Sequence, residues 1–163
     1  MAGESYIGRM HNAAHLAEVG PVVVARLRLD DDAFHTLAAQ GEDAPPVDVH
    51  LLIDTGASHS FIERRVAQQL RLQRKRMEPV RMANHMEFRC ETYDAVLMLP
   101  LEGSVGPRMA PLPLRLLGIP TPETDLPYQG LLGRDFLSRF GFAYHGPDGR
   151  FALRLDPEPF GTR

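Results

Sequence analysis

The segment from residue 47 to residue 58 constrains the fold of this chain most strongly. It begins with alternating apolar and polar residues and becomes fully apolar at residues 51–53. A run of this kind predicts a strand that enters the protein interior. Asp54 follows the strand directly, and Thr55 and Gly56 supply the residues of a tight turn. The sequence therefore predicts a carboxylate that a buried strand carries to its end.

Strand patterns dominate the rest of the chain. Short runs rich in β-branched and apolar residues are separated by Gly, Pro, Asn and Asp, which is typical of a β protein. Besides the strand before Asp54, strands are predicted over residues 22–29, 77–81, 87–99, 109–117, 130–132, 140–144 and 151–155. Two hairpins follow from this pattern, one with its tip at residues 82–86 and one that turns at residues 147–149.

Two helices are predicted, one after the Asp54-Thr55-Gly56 motif and one after Gly133. Ser60 and Glu63 have the spacing of a capping box, and Phe61, Ile62, Val66 and Leu70 would share one face of an amphipathic helix. A second, short helix is expected after Gly133 and ends near Gly141. The three aspartates at 30–32 and the residues up to 46 are interpreted as a solvated turn and a connecting loop.

The chain has room for one domain with a core of its own, since it contains 163 residues. We expect this domain to be mainly β and to span residues 20–156. Residues 1–19 lack a sustained period and are expected to form an N-terminal arm that is disordered or partly helical. Residues 157–163 are expected to form a C-terminal tail.

Charge and cysteine content narrow the partners and the compartment. The formal net charge is -3 and the isoelectric point is near 6.1, which gives no electrostatic reason to expect a nucleic acid or an anionic membrane as partner. Cys90 is the only cysteine, so an intrachain disulfide is excluded. No apolar segment has the length of a membrane span. We therefore expect a cytoplasmic protein without a membrane partner.

The Asp54-Thr55-Gly56 motif has two interpretations when it is taken alone. Asp and Gly are favoured in turns, so the motif could be an ordinary turn after a core strand. The other interpretation is an active site, and the surrounding sequence favours it. A fully apolar triplet precedes the aspartate, a polar-tipped hairpin follows about thirty residues later, and an apolar pair before Gly133 starts a helix near the C-terminus.

Together these segments resemble the retropepsin-like aspartic proteases. The resemblance covers residues 20–156, and its most specific parts are Asp54-Thr55-Gly56-Ala57-Ser58 and the segment 131–135. It implies a single-lobed, closed β-barrel-like fold with one amphipathic helix after the catalytic loop and one short C-terminal helix. It also implies an endopeptidase that acts on protein or peptide substrates as a homodimer, without a cofactor or a metal.

The resemblance assigns roles to individual residues. Asp54 would be catalytic, with Thr55, Gly56, Ala57 and Ser58 supporting the catalytic loop. The hairpin tip would be a flap that contacts substrate, and the segment after the Pro-rich loop would support the catalytic loop from behind. The flap residues are Met82, Ala83, Asn84, His85 and Met86, and the supporting residues are Leu131, Leu132 and Gly133. Retroviral members often have an acid at the position of Ser58, paired with the arginine that corresponds to Arg134.

The chemistry of peptide hydrolysis independently requires a second carboxylate. One group must take a proton from water while another donates a proton to the carbonyl oxygen, so Asp54 alone is insufficient. The chain has one such motif and no length for a second lobe, so a twofold-symmetric homodimer is the simplest source of the partner. The Ser58 hydroxyl is expected to donate to the Asp54 carboxylate. The alternative function is a catalytically silent dimer of the same fold that binds an extended peptide.

Overall fold

The computed structural model describes residues 4–10, 12–81, 85–120 and 125–155. Within these residues the chain forms ten strands and four α-helices. The strands are β1 (Glu4–Arg9), β2 (Val22–Arg28), β3 (Val47–Ile53), β4 (Phe61–Glu63), β5 (Arg74–Arg81), β6 (Glu87–Gly103), β7 (Gly106–Ile119), β8 (Gly130–Leu132), β9 (Gly141–His145) and β10 (Arg150–Leu155). The helices are α1 (Ala13–Val19), α2 (Asp31–Ala39), α3 (Arg64–Gln69) and α4 (Arg134–Leu137).

Six strands close into a barrel. They pair in the order β2, β3, β8, β4, β7 and β6, and a further pairing between β2 and β6 closes the ring. Most neighbours are antiparallel, but β3 pairs with β8 and β4 pairs with β7 in parallel. Apolar side chains such as Val23, Leu51, Leu97 and Leu116 fill the interior and are fully buried. The predicted mainly β, closed-barrel fold is confirmed.

Both predicted hairpins are present. Strands β5 and β6 pair up to Arg81 opposite Glu87, and β9 pairs with β10 across a short 3-10 turn followed by Gly149. Gly149 has a φ of 64°, a left-handed conformation that glycine adopts without strain. The strand predicted at 109–117 is longer than expected, because β6 and β7 pair continuously from Thr92 opposite Leu117 to Gly103 opposite Gly106.

The N-terminal segment, predicted as a disordered or partly helical arm at residues 1–19, contains the helix α1 but also joins the sheet. Its residues 4–9 form β1, which pairs with β10 from Glu4 opposite Leu155 to Arg9 opposite Arg150. The buried Tyr6 also reaches β2, where its hydroxyl oxygen accepts a hydrogen bond from the Val24 N–H at 2.9 Å. The segment is too short to show a sustained period, so the sequence pattern missed it. The predicted tail at 157–163 lies outside the described residues.

The helix predicted from Ser60 onward is wrong at its start. Residues 61–63 form β4, which lies between β7 and β8, and α3 begins only at Arg64. Glu63 precedes the helix but its side chain makes no capping hydrogen bond. Strand pairing on both sides satisfies the backbone here, which overrides the local capping pattern. The amphipathic helix after the catalytic loop is therefore shorter than predicted.

The segment predicted as a turn and loop at 30–46 contains α2. Asp30 is the residue before the helix, and its Oδ1 accepts a hydrogen bond from the Ala33 N–H at 2.8 Å. Asp31 and Asp32 occupy the first turn, where negative charge is favourable next to the helix N-terminus. The three aspartates therefore begin a helix on the surface of the barrel.

Candidate active site

The structure places Asp54 at the end of β3, as the sequence predicts. Its backbone N–H donates to the Leu132 carbonyl of β8 at 3.0 Å, so the neighbouring parallel strand fixes its position. Carboxylate oxygen Oδ1 accepts hydrogen bonds from the backbone N–H groups of Gly56 at 2.8 Å and Ala57 at 3.3 Å. The side chain is only partly buried. The loop therefore holds an orientated carboxylate at the surface of the barrel.

The segment predicted to support the loop lies against it. Leu131 and Leu132 pair with the last residues of β3, and the Arg134 N–H donates to the Ala57 carbonyl at 2.9 Å. Gly133 approaches so closely that a Cβ at this position would lie 2.5 Å from the His59 carbonyl oxygen. A side chain cannot be accommodated there unless the backbone moves. The close packing of this glycine holds the two segments together.

Ser60 and Asp135 form a link that sequence reasoning missed. The Ser60 side chain is buried; its Oγ donates to Asp135 Oδ1 at 2.8 Å and accepts from the Gly133 N–H at 3.0 Å. The Ser60 N–H donates to Asp135 Oδ2 at 3.0 Å. The sequence pattern predicts Ser60 as a helix cap and indicates no partner for Asp135. A serine and an aspartate 75 residues apart carry no local signal of their contact.

Arg134 contacts the catalytic loop through the main chain. Its Nη1 donates to the carbonyl oxygens of Thr55 at 2.9 Å and Gly56 at 3.0 Å. These two bonds lie immediately after Asp54 in sequence. Since the Ser58 position carries no acid, the arginine uses backbone acceptors of the loop as its partners.

Ser58 does not make the contact expected of it. Its Oγ lies 2.9 Å from Nδ1 of the exposed His59, whereas the donors to Asp54 Oδ1 are the two backbone N–H groups. The exposed Ser58 side chain contacts His59, its neighbour in sequence, and not the Asp54 carboxylate. The expectation that Ser58 donates to Asp54 is therefore corrected. Thr55 is exposed, and its role across a dimer stays a prediction.

The hairpin of β5 and β6 has an ion pair next to its tip. Arg81 donates to Glu87 Oε1 from Nε at 3.1 Å and from Nη2 at 2.6 Å. Of the predicted flap residues, Met82, Ala83 and Asn84 lie outside the described residues. His85 has a φ of 65°, and Met86 is 65% exposed.

The half of this hairpin nearer its tip packs against β4 and β7. A small apolar cluster joins Val80 and Cys90 of the hairpin to Leu117 of β7, with Phe61 and Phe88 packed against it. Burial is the largest cause that raises the pKa of the Cys90 thiol. Phe61 opens β4, seven residues after Asp54, so the cluster connects the hairpin to the segment that leaves the catalytic loop.

The described residues contain no group of three or more His, Cys, Asp and Glu side chains that could hold a metal ion. Among the same residues, no helix has both the length and the apolar character required to cross a membrane.

Solved structures and a protein-family model match this chain. A crystal structure of a retropepsin-like aspartic protease from Rickettsia conorii is 13% identical, covers 93% of this chain and 94% of its own, and gives a TM-score of 0.44. An EIAV protease in complex with an inhibitor is 17% identical, covers 72% of this chain and 85% of its own, and gives a TM-score of 0.39. No curated protein matches the chain. A family model described as aspartyl protease matches residues 41–136, which is more than half of the 163 residues. The chain thus belongs to the aspartyl protease family, in agreement with its resemblance to the retropepsin-like aspartic proteases.

Proposed function

We propose that the protein is an aspartic endopeptidase that acts as a homodimer. One Asp54 from each of two copies would form the catalytic pair, and the substrate would be an extended segment of protein or peptide. The site would need no cofactor and no metal. A cytoplasmic location is part of the proposal and is supported by the single, buried Cys90.

The geometry of the Asp54 carboxylate carries this proposal. Its Oδ1 accepts the two loop N–H groups, while Oδ2 accepts no hydrogen bond from the described residues. One oxygen is therefore fixed by the protein and the other is available to a water molecule or to a second carboxyl group. An ordinary turn would not require the supporting contacts that Leu132, Gly133 and Arg134 make with this loop.

Two such carboxylates can perform the reaction together. When they lie about 3 Å apart they share one proton, because two negative charges at that distance repel strongly. The ionised group takes a proton from water, and the protonated group donates to the carbonyl oxygen of the peptide bond. Thr55 would bond its counterpart across the twofold axis, and Gly56 would present its carbonyl to the peptide. The tip of the β5–β6 hairpin of each copy would close over the peptide and exclude water.

The alternative is a silent module that binds a peptide in the same cleft, because fold alone does not establish chemistry. The variant Asp54→Asn distinguishes the two functions. It removes the acid–base pair but no core group, so we expect peptide cleavage to fall by at least about 100-fold while the unfolding free energy changes little. Cleavage of a denatured protein substrate measures activity, and urea unfolding measures stability.

The control is Asp48→Asn, which removes an exposed carboxylate of the same strand that pairs with Arg26. This control should keep full activity. Appreciable cleavage by Asp54→Asn would overturn the proposed role of Asp54. A wild-type protein that binds peptides but cleaves none, over a range of pH, would favour the silent module.

A further inference from the structure

The Arg134 guanidinium donates hydrogen bonds through only one of its three nitrogens among the described residues. The Nη1 group bonds two carbonyl oxygens of the catalytic loop. The N–H groups on Nε and Nη2 have neither a hydrogen bond nor an ion pair among the described residues, and the residue is exposed. The two loop bonds fix the plane of the guanidinium, so the unused edge has a defined orientation next to Asp54.

The positive charge of Arg134 has no acidic partner in the described part of the chain. Both carboxylate oxygens of Asp135 already accept hydrogen bonds, from the Ser60 hydroxyl, the Ser60 N–H and the Phe136 N–H. Asp54 is orientated by its own loop. Some other exposed arginines are paired with acids, as Arg81 is with Glu87 and Arg65 is with Glu63. Arg134 is therefore an exposed cation beside the candidate catalytic carboxylate.

The unused edge matches one kind of ligand. Nε–H and one Nη2–H of a guanidinium point in parallel, which fits the two oxygens of a carboxylate with two hydrogen bonds. A neutral amide offers only one acceptor oxygen to the same edge. Ser58 and His59, at the same end of the loop, contribute no negative charge that would repel an acid.

We propose that the Nε–Nη2 edge of Arg134 binds an acidic side chain of the peptide, so that the protein selects substrates with Glu or Asp close to the scissile bond. The inference rests on the proposed function, which supplies the cleft and the peptide. Arg134 contacts Thr55 and Gly56, the two residues that follow Asp54, so we expect the acid close to the cleaved bond. A twofold dimer has two copies of Arg134, so the preference appears on both sides of that bond.

The test measures selectivity as well as rate. A library of peptides is digested with wild-type protein, and the residues around each cleaved bond are identified by mass spectrometry. We expect Glu and Asp to be enriched over Gln and Asn by about two- to fivefold at one or two positions, as for an ion pair that is partly exposed to water. Added NaCl should reduce the enrichment, because salt screens exposed charges.

Three variants separate the role in selectivity from the role in loop support. Arg134→Gln should abolish the enrichment, and Arg134→Lys, which keeps the charge without the two parallel donors, should reduce it. Arg139→Gln is the matched control, because Arg139 is an exposed arginine near the end of the same helical segment that donates to the Pro113 carbonyl at 2.8 Å. It should leave the enrichment unchanged. If Arg134→Gln does not fold, Arg134→Lys and the salt series carry the test.

Two outcomes overturn the inference. An Arg134 that only supports the loop would slow the cleavage of all peptides equally and leave the enrichment intact in Arg134→Gln. An Arg134 that binds a carboxylate of the second copy would weaken dimerisation in sedimentation experiments, again without a change in selectivity.

A binding experiment keeps this inference separate from the proposed function. The same library is passed over immobilised Asp54→Asn protein, and the retained peptides are sequenced. If the wild-type protein cleaves nothing but the immobilised protein retains acidic peptides through Arg134, the inference stands and the proposed protease activity falls. If neither experiment enriches acidic peptides, the inference is wrong whatever the activity.

Discussion

Single residues far apart in sequence set the shape of the candidate site. Ser60 is polar and fully buried, yet its hydroxyl both donates to Asp135 and accepts from the Gly133 N–H. Buried polar groups contribute to stability only when their partners are present. This one side chain therefore connects the segment after the catalytic loop to the segment that supports the loop from behind.

The variant Ser60→Ala tests this connection. It leaves the buried Gly133 N–H without a partner and removes one of the two hydrogen bonds to Asp135 Oδ1, so we expect the unfolding free energy to fall by about 1–3 kcal/mol. Urea unfolding followed by circular dichroism gives the value. Ser138→Ala removes an exposed hydroxyl that bonds the Asp135 backbone carbonyl and should change stability by less than about 0.5 kcal/mol. Equal effects of the two variants would show that the buried link contributes nothing.

In the proposed dimer, a proton shared by the two Asp54 carboxylates would give a bell-shaped dependence of activity on pH. The rate falls at low pH when the second carboxylate is protonated, and it falls at high pH when the shared proton leaves. We expect an optimum on the acidic side of neutrality. Measurement of kcat/KM against pH tests this, with a metal chelator as a control that should have no effect. Maximal activity well above pH 8, or loss with the chelator and recovery with zinc, would contradict the assignment of Asp54.

Elements with a clear periodicity were predicted from the sequence, and those defined by pairing were not. Strands β2, β3, β6 and β7 alternate or are apolar along their length, and the structure contains them close to the predicted positions. Strand β4 has three residues and a local capping pattern, so only its pairing with β7 and β8 makes it a strand. The same holds for β1, which exists through its pairing with β10. Long-range pairing leaves no periodic trace in so short a segment.

In the candidate site too, the features with a local sequence motif were predicted, and those that depend on long-range contacts were not. Asp54 and the segment 131–133 belong to a contiguous motif and a strongly apolar strand, and the structure brings them together. The Ser60–Asp135 link and the main-chain partners of Arg134 depend on side-chain directions that sequence does not encode locally. The Ser58 expectation was wrong for this reason, since His59 competes for its hydroxyl.

The hairpin of β6 and β7 has an ion pair whose effect depends on pH. Arg115 donates to Asp94 on the opposite strand, and this hydrogen bond is the largest cause that holds the pKa of the Asp94 carboxyl below its usual value of 3.8. A lowered native pKa stabilises the fold above the unfolded-state pKa, and this stabilisation is lost as pH falls through the native pKa. The pair is partly exposed, so its contribution is at most about 1 kcal/mol.

The comparison of wild type with Asp94→Asn checks this effect. The wild-type protein should be slightly more stable at pH 6, and the difference should shrink on acidification below about pH 4. Thermal unfolding at several pH values measures it. Asp43→Asn, at an exposed position outside the barrel strands, serves as the control and should show no such convergence. A difference that is constant with pH would exclude a contribution from the charge of Asp94.

At the scale of the whole molecule, the proposed function requires two copies. Only the dimer assembles both carboxylates, so the initial rate should rise with the square of protein concentration when the protein is dilute and become linear once dimers dominate. Initial rates over a dilution series, together with sedimentation velocity at the same concentrations, measure this. A linear dependence throughout, from a species with the mass of one chain, would exclude a site shared between copies.

The pairing of β1 with β10 places the first and the last strand of the described chain side by side. Glu4 lies opposite Leu155, so the two ends of the described chain are neighbours in an antiparallel ladder, where Cα atoms lie about 5 Å apart. A short linker between these residues would therefore span little distance. The exposed turn at residues 104 and 105 offers a place for new ends, since exposed loop tips tolerate such changes. The architecture is thus compatible with circular permutation, in which β7 would become the first strand and β6 the last.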